Sequence, residues 1–184
     1  MSRARRTAVR NLPQVYLRPP APGDRDEYLR LNRLSVDHFR GLATPMREGR
    51  VFSAWLARCE RDDQVGFLIC REEDDAIAGS TNVSQIVRGG FQSGYLGYQV
   101  FAPFAGQGYM TVALPLILRV VFRELKLHRV EANIQPRNAA SIALVRRAGF
   151  EKEGYSPRYL KIAGRWRDHE RWAMTAERYR DVRR

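Results

Sequence analysis

Phe104-Ala105-Gly106-Gln107-Gly108-Tyr109-Met110-Thr111 is the stretch on which the reading of this chain turns. The strand-like run Tyr95-Leu96-Gly97-Tyr98-Gln99-Val100 precedes it, and an almost wholly apolar run, Val112 to Leu125, follows. Strand, glycine-rich turn and helix together make a phosphate seat. Backbone N–H groups point outward from the turn, and the helix N-terminus adds partial positive charge. Two better-known phosphate loops are excluded. A Walker A loop ends in Gly-Lys-Ser/Thr, and here Tyr109-Met110 follow the glycine. A Rossmann fingerprint requires a third small residue where Thr111 stands. What remains is a diphosphate cradle with neither lysine nor metal.

The flanking elements read as α+β. Val15 to Arg18 is a short strand ended by Pro19-Pro20. Asp24 and Glu27 have the spacing of a capping box, opening a helix with Tyr28, Leu31, Leu34, Val36 and Phe39 toward the core. A second helix runs from Val51 to Arg61. Strands follow at 65–70, within 76–87, and at 93–100, the first two joined by the acidic turn Glu72-Glu73-Asp74-Asp75. Helix 107–125 is apolar nearly all round and is expected to be buried, with a kink at Pro115. In 128–135, Val130, Ala132 and Ile134 alternate with Glu131, Asn133 and Gln135, so one face of that strand is polar. Asn138 is placed to cap a helix that runs to Arg147 and closes at Gly149. Segments 150–155 and 168–174 form a last strand pair. The sheet is expected to be mixed, since the elements do not alternate as βαβ.

The 184 residues suit one domain over 15–176, with basic tails at 1–14 and 177–184. No run of 18 apolar residues occurs, so no membrane partner is expected. Cys59 and Cys70 lie among apolar neighbours and read as free thiols in a reducing cytoplasm. The net charge is +12, and lysine stands only at 126, 152 and 161, against 29 arginines. Such a surface attracts anions: a phosphorylated cofactor, or RNA in non-specific contact.

These motifs resemble the GNAT N-acetyltransferases over roughly residues 14 to 176. Ala105-Gly106-Gln107-Gly108-Tyr109-Met110 is similar to the family's loop pattern at its central glycine. Asn138-Ala139-Ala140-Ser141 with Ala148-Gly149-Phe150 is similar to its second cofactor segment. Within the family the chain most resembles the RimJ/RimL group of ribosomal-protein N-acetyltransferases. That resemblance rests on 82–89, Tyr95-Leu96-Gly97-Tyr98, 150–155 and Gly164-Arg165-Trp166-Arg167-Asp168-His169. It implies the GNAT fold, a mostly antiparallel mixed sheet flanked by helices. It also implies acetyl transfer from acetyl-CoA to a protein N-terminal amine, the alanine of a ribosomal protein, by a monomer or homodimer. Ala105, Met110, Val112 and Pro115 depart from the family's preferences in and just behind the loop.

The resemblance distributes roles. Val100, Gly106, Gln107, Gly108, Tyr109, Met110, Thr111, Asn138 and Ser141 are expected to bind acetyl-CoA, the amides of 107–111 holding the diphosphate. An N–H near Val100 is expected to polarise the thioester carbonyl. The family's usual tyrosine proton donor is replaced by Val145, which leaves Ser141 as the substitute. For the base, Asn133 stands where some relatives have Glu, and Leu160 where others do. Glu131 is a candidate for relaying the proton through water; His169, beside Asp168, could do the same work but is read first as a structural hydrogen-bonding residue. The catalytic candidates are thus Ser141, Glu131 and Asn133, with no metal. Two other functions fit the same motifs: acetylation of a small amine such as an aminoglycoside or polyamine, and a non-catalytic module that binds acyl-CoA or the ribosome.

Overall fold

The computed structural model describes residues 12–182. Most of the stretch read as an N-terminal tail, 1–11, lies outside the described residues. Seven strands form one sheet: β1 (Val15–Arg18), β2 (Gln64–Arg71), β3 (Ile77–Val87), β4 (Ser93–Val100), β5 (Arg129–Ile134), β6 (Glu151–Ile162) and β7 (Arg165–Thr175). Their order is β1-β2-β3-β4-β5-β7-β6. Every neighbouring pair is antiparallel except β4 and β5. Five helices cover the faces: α1 (Arg25–Leu34), α2 (Gly49–Cys59), α3 (Tyr109–Arg119), α4 (Ala139–Arg147) and α5 (Ala176–Asp181). This is the mixed α+β sheet that the order of elements implied.

The sheet separates two cores. On one face Val130, Ala132 and Ile134 of β5 pack with Leu96 of β4 and with Ala113, Leu114 and Ile117 of α3. On the other face Leu68, Cys70 and Ile77 pack against Tyr28 and Leu31 of α1 and Phe52 and Trp55 of α2. Alternation along β5 therefore puts Glu131, Asn133 and Gln135 on the α1–α2 side.

Four local expectations are corrected. Asp24 does not cap α1 with its side chain; it closes a short 3-10 turn, accepts from the Ala21 N–H (2.7 Å) and pairs with Arg18. Leu34 is 54% exposed, because α1 turns its inner stripe through Tyr28, Leu31 and Asn32 instead. The helix after the glycine loop starts at Tyr109 and is not buried all round. Thr111, Pro115 and Arg119 form an exposed stripe, so α3 runs through Pro115 with the ring facing out. A π turn, Val120–Glu124, follows it. The segment read as a basic C-terminal tail folds into α5, with Tyr179 buried and stacked on Phe122 at 4.7 Å.

Candidate active site

The parallel strands β4 and β5 pair at only three positions, Ser93 with Arg129, Gly94 with Val130 and Tyr95 with Glu131. Both then continue, to Val100 and Ile134, without pairing. They splay and leave a gap in the middle of the sheet. A cavity of about 130 Å³ fills it, lined by Gly97, Tyr98, Asn133, Gln135, Ser141 and His169 among others. A larger hollow of about 440 Å³ lies beside Arg71, Glu72, Glu73 and Tyr109. It holds none of the candidate catalytic groups, so the smaller cavity is the site.

Backbone direction aims one amide at the gap. Phe101 N–H donates to Ala78 of β3 (3.0 Å). Successive residues of an extended chain point their N–H groups to opposite sides. The Val100 N–H therefore faces away from β3, toward the splay.

Next in sequence comes the glycine loop. Gly106 (φ +73°) and Gly108 (φ +93°) both take left-handed backbone conformations, where other residues are strained. A Cβ on Gly106 would meet nothing within 4 Å, so this part of the loop opens outward. Gln107 folds back, its Nε2 donating to Pro103 O (2.8 Å). Tyr109 and Met110 bury their side chains, Tyr109 edge-on against Phe104 (5.5 Å). Met110 is thus a core residue, which explains how the loop tolerates it where a small residue is preferred. Val112 N–H returns to Gly108 O (3.2 Å). The amides of 109–111, in the first helical turn, have no carbonyl behind them to bind. Two left-handed glycines and free amides at a helix N-terminus fit a diphosphate.

On the same side, α4 supplies a polar contact. Asn138 caps the helix, its Oδ1 accepting from Ser141 N (3.2 Å). Ser141 Oγ in turn donates to Tyr98 Oη (2.9 Å). Burial, only partly offset by the Ser141 contact, pushes the Tyr98 hydroxyl up to about 12. Tyr98 therefore stays protonated at neutral pH. Val145, where the family's tyrosine would stand, is fully buried in the core.

The opposite side of the gap carries Asn133, Gln135 and His169. Gln135 Nε2 donates to Gly41 O (2.9 Å) and Leu42 O (3.1 Å), tying the chain after α1 over the cavity. Asn133 Oδ1 is buried without a partner among the described residues. His169 is 2% exposed, and its Nδ1 donates to Arg167 O (3.0 Å). Burial pushes this imidazole below its usual value. Asp168 is not its partner; that carboxylate accepts from Tyr155 and from Arg158 N–H. Glu131 does not line the cavity. Arg129 holds it through Nε at 3.0 Å and grips Glu153 through its Nη atoms, and the Glu153 carboxyl sits below the usual range for that reason. Leu160 is exposed on β6, away from the gap. Of the three catalytic candidates, the fold brings Ser141 and Asn133 together and leaves Glu131 outside. It adds Tyr98, and it places His169, read first as a structural residue, in the cavity wall. In the sequence Tyr98 stood in a strand stretch that carries the resemblance, two places before Val100 on the same face, with nothing to mark a chemical role.

The comparisons agree with this geometry. Residues 14–151 match the family described as the acetyltransferase (GNAT) domain. The chain is 34% identical over 164 residues to the probable N-acetyltransferase YjcK of Bacillus subtilis, covering 85% of this chain and 91% of that protein. It is 44% identical over 103 residues to the [ribosomal protein uS5]-alanine N-acetyltransferase of Escherichia coli, a match spanning 56% of this chain and about half (53%) of that enzyme. Among solved structures, Mycobacterium smegmatis RimJ in complex with CoA-disulfide superposes with a TM-score of 0.79 at 31% identity, over 89% of this chain and 82% of that one. Among the described residues no helix is long and apolar enough to cross a membrane. The split sheet, the glycine loop and these matches make one conclusion: the chain belongs to the GNAT acetyltransferase family and is an acetyl-CoA-dependent N-acetyltransferase.

Proposed function

We propose that the protein transfers acetyl from acetyl-CoA to the α-amine of a protein N-terminus, an N-terminal alanine of a ribosomal protein, by direct attack in a ternary complex. The amides of 107–111 hold the diphosphate, and Gly106 and Gly108 let it come close. The Val100 N–H polarises the thioester carbonyl as charge builds on its oxygen. The acceptor enters from the α1–α2 side, and Tyr98 with Ser141 meets the departing sulfur from the other. The name of the Escherichia coli relative supports the acceptor. The surface of net charge +12 adds non-specific attraction to RNA near a ribosomal substrate.

The observation that carries the choice of acceptor is the absence of a free carboxylate among the described residues lining the cavity. A polyamine or aminoglycoside site would need acidic partners for several cations, and Glu131 is taken up by Arg129. An α-amine, with a pKa of about 7.7–8.0, is already neutral in roughly one molecule in ten at pH 7. It therefore needs less help than a lysine-type amine. Turnover of acetyl-CoA with a short alanine-led peptide, set against spermidine, tests this reading. Activity on the peptide supports it, activity on spermidine alone replaces it with the small-amine reading, and binding without turnover on either points to a non-catalytic module. Mass spectrometry of ribosomal proteins from cells with and without the protein identifies the acceptor.

A further inference from the structure

His169 stands out among the groups that line the gap. Its Nδ1 faces a backbone carbonyl, Arg167 O, at 3.0 Å. A carbonyl only accepts, so Nδ1 carries the hydrogen and Nε2 carries the lone pair. Nε2 has no partner among the described residues, although the side chain is buried and lines the cavity. Asn133 Oδ1, lining the same cavity, is a buried acceptor without a donor among the described residues. Buried polar groups are nearly always paired, and exceptions call for an absent donor. The orphaned Asn133 Oδ1 and the His169 Nε2 lone pair line one cavity, and together they suit a ligand that brings N–H donors.

We propose that His169 is the proton acceptor for the incoming amine, with Nε2 receiving a proton from the acceptor's α-ammonium while Asn133 helps to seat it. This rests on the acceptor class proposed above and adds the residue that activates it. The ammonium gives one proton to Nε2 and becomes a neutral amine. Its nitrogen lone pair then attacks the thioester carbonyl carbon. The carbon–sulfur bond breaks, its electron pair leaves on sulfur, and the thiolate takes the second proton as the amide forms. The imidazolium returns its proton to water. Overall, ammonium and thioester yield amide, thiol and one released proton.

The surroundings favour a neutral imidazole. Tyr98 from β4, Asn133 from β5, Gln135 just past the end of β5 and Ser141 from α4 line the same cavity and are uncharged. Tyr159 from β6 lies with its ring 5.8 Å away. Arg167 and Arg171 flank His169 two places away on its own strand, and Asp168 turns to Tyr155. Burial is the leading cause holding the ring below its usual value near 6.5. Proton transfer to it from an α-ammonium is then uphill by at least roughly twentyfold, and from a lysine-type ammonium by nearly ten thousandfold. A base of this strength serves α-amines and fails polyamines. The flanking arginines repel a polycation further.

The test is the pH dependence of kcat/KM for an alanine-led peptide, in the wild type and in His169→Gln. General-base loss is worth about 10²- to 10⁴-fold. The expected loss is at least roughly 10²-fold at pH 6.5, shrinking toward pH 9, where the amine deprotonates unaided. Acetyl-CoA affinity measured by calorimetry should be unchanged. A loss equal at every pH, or none, overturns the proposal while leaving the acceptor class standing, provided the wild type uses the peptide. A wild type that acetylates only spermidine overturns both. Nitrogen NMR of histidine-labelled wild type keeps the proposal testable should the variant misfold. With three histidines in the chain, one should show Nδ1–H, titrate below 6.5 and shift on adding peptide. An Nε2–H tautomer at His169, or no response to peptide, overturns it.

Discussion

Ser141 Oγ lies 2.9 Å from Tyr98 Oη, and this hydrogen bond joins α4 to β4 on the α3–α4 side of the split sheet. By donating to Tyr98, Ser141 leaves the phenol hydrogen free to point elsewhere. The two hydroxyls form one unit that can protonate or stabilise a departing thiolate. Ser141→Ala and Tyr98→Phe should each lower kcat by roughly 10²-fold, with the KM for acetyl-CoA little changed. The double variant should be about as slow as either single one, because residues acting as a unit are not additive. Steady-state kinetics decides: additive losses separate the two roles, and a raised KM with kcat intact makes Ser141 merely structural.

Gly106 offers a cleaner test of the diphosphate cradle than Gly108. A Cβ on Gly108 would come within 3.0 Å of Leu12 Cδ2, so packing and binding would change together. A Cβ on Gly106 meets no neighbour. Gly106→Ala should cost about 1–2 kcal/mol of stability through its positive φ. Acetyl-CoA affinity should fall well beyond that cost, read by calorimetry beside a thermal melt. Unchanged affinity would remove this loop from the site.

Direct transfer needs no thiol. Cys70 is buried within the α1–α2 core, Cys59 is half-buried on α2, and burial pushes both thiols up, away from the reactive thiolate. Neither lines the gap. The double Cys→Ala variant should keep its kcat. Acetyl retained on either cysteine in intact-mass spectra would establish an acyl-enzyme instead.

The Arg18–Asp24 pair should make the fold acid-sensitive. Both Arg18 Nη atoms donate to the carboxylate, at 2.8 and 2.6 Å, and the Ala21 N–H donates to it as well. The Arg18 contact, first among the causes, holds Asp24 below its usual value. Stability from this group is therefore complete above the unfolded value of about 3.9 and lost as pH falls through the lower folded value. Asp24→Asn should cost about 1–2 kcal/mol at pH 7, or roughly 3–6 °C in Tm. The difference between wild type and variant should close below about pH 3.9 in a series of thermal melts.

Tyr179 makes α5 part of the domain. It is 3% exposed and stacks on Phe122 beside the π turn. Tyr179→Ala should cost about 3 kcal/mol, the low end of large aromatic truncations in a core. Denaturant unfolding measures it. An unchanged midpoint would return 177–184 to the status of a tail.

The sequence alone determined whatever depends on local pattern. The alternation Val130, Ala132, Ile134 marks β5, because a strand turns successive side chains to opposite faces. Asn138 and Gly149 bound α4, because a helix needs a side-chain oxygen at its start and suits a left-handed residue just past its end. The glycines before Tyr109 marked a tight turn into α3, because positive φ is cheap only for glycine. Helix ends and exposed stripes were less legible: Leu34 and Pro115 face solvent according to what lies across from them, not their own character.

Only the tertiary structure decided how the candidate site is composed. Tyr98 and Ser141 are 43 residues apart, and they meet because β4 and β5 part after three pairs. Glu131 and Asn133 share one face of one strand, yet only Asn133 reaches the gap; Arg129, two residues from Glu131, takes its carboxylate. His169 and Asp168 are neighbours in sequence, but the strand sends their side chains to opposite faces, one into the cavity and one to Tyr155. Pairing across a sheet depends on register between distant segments, and no local pattern of residues encodes that register.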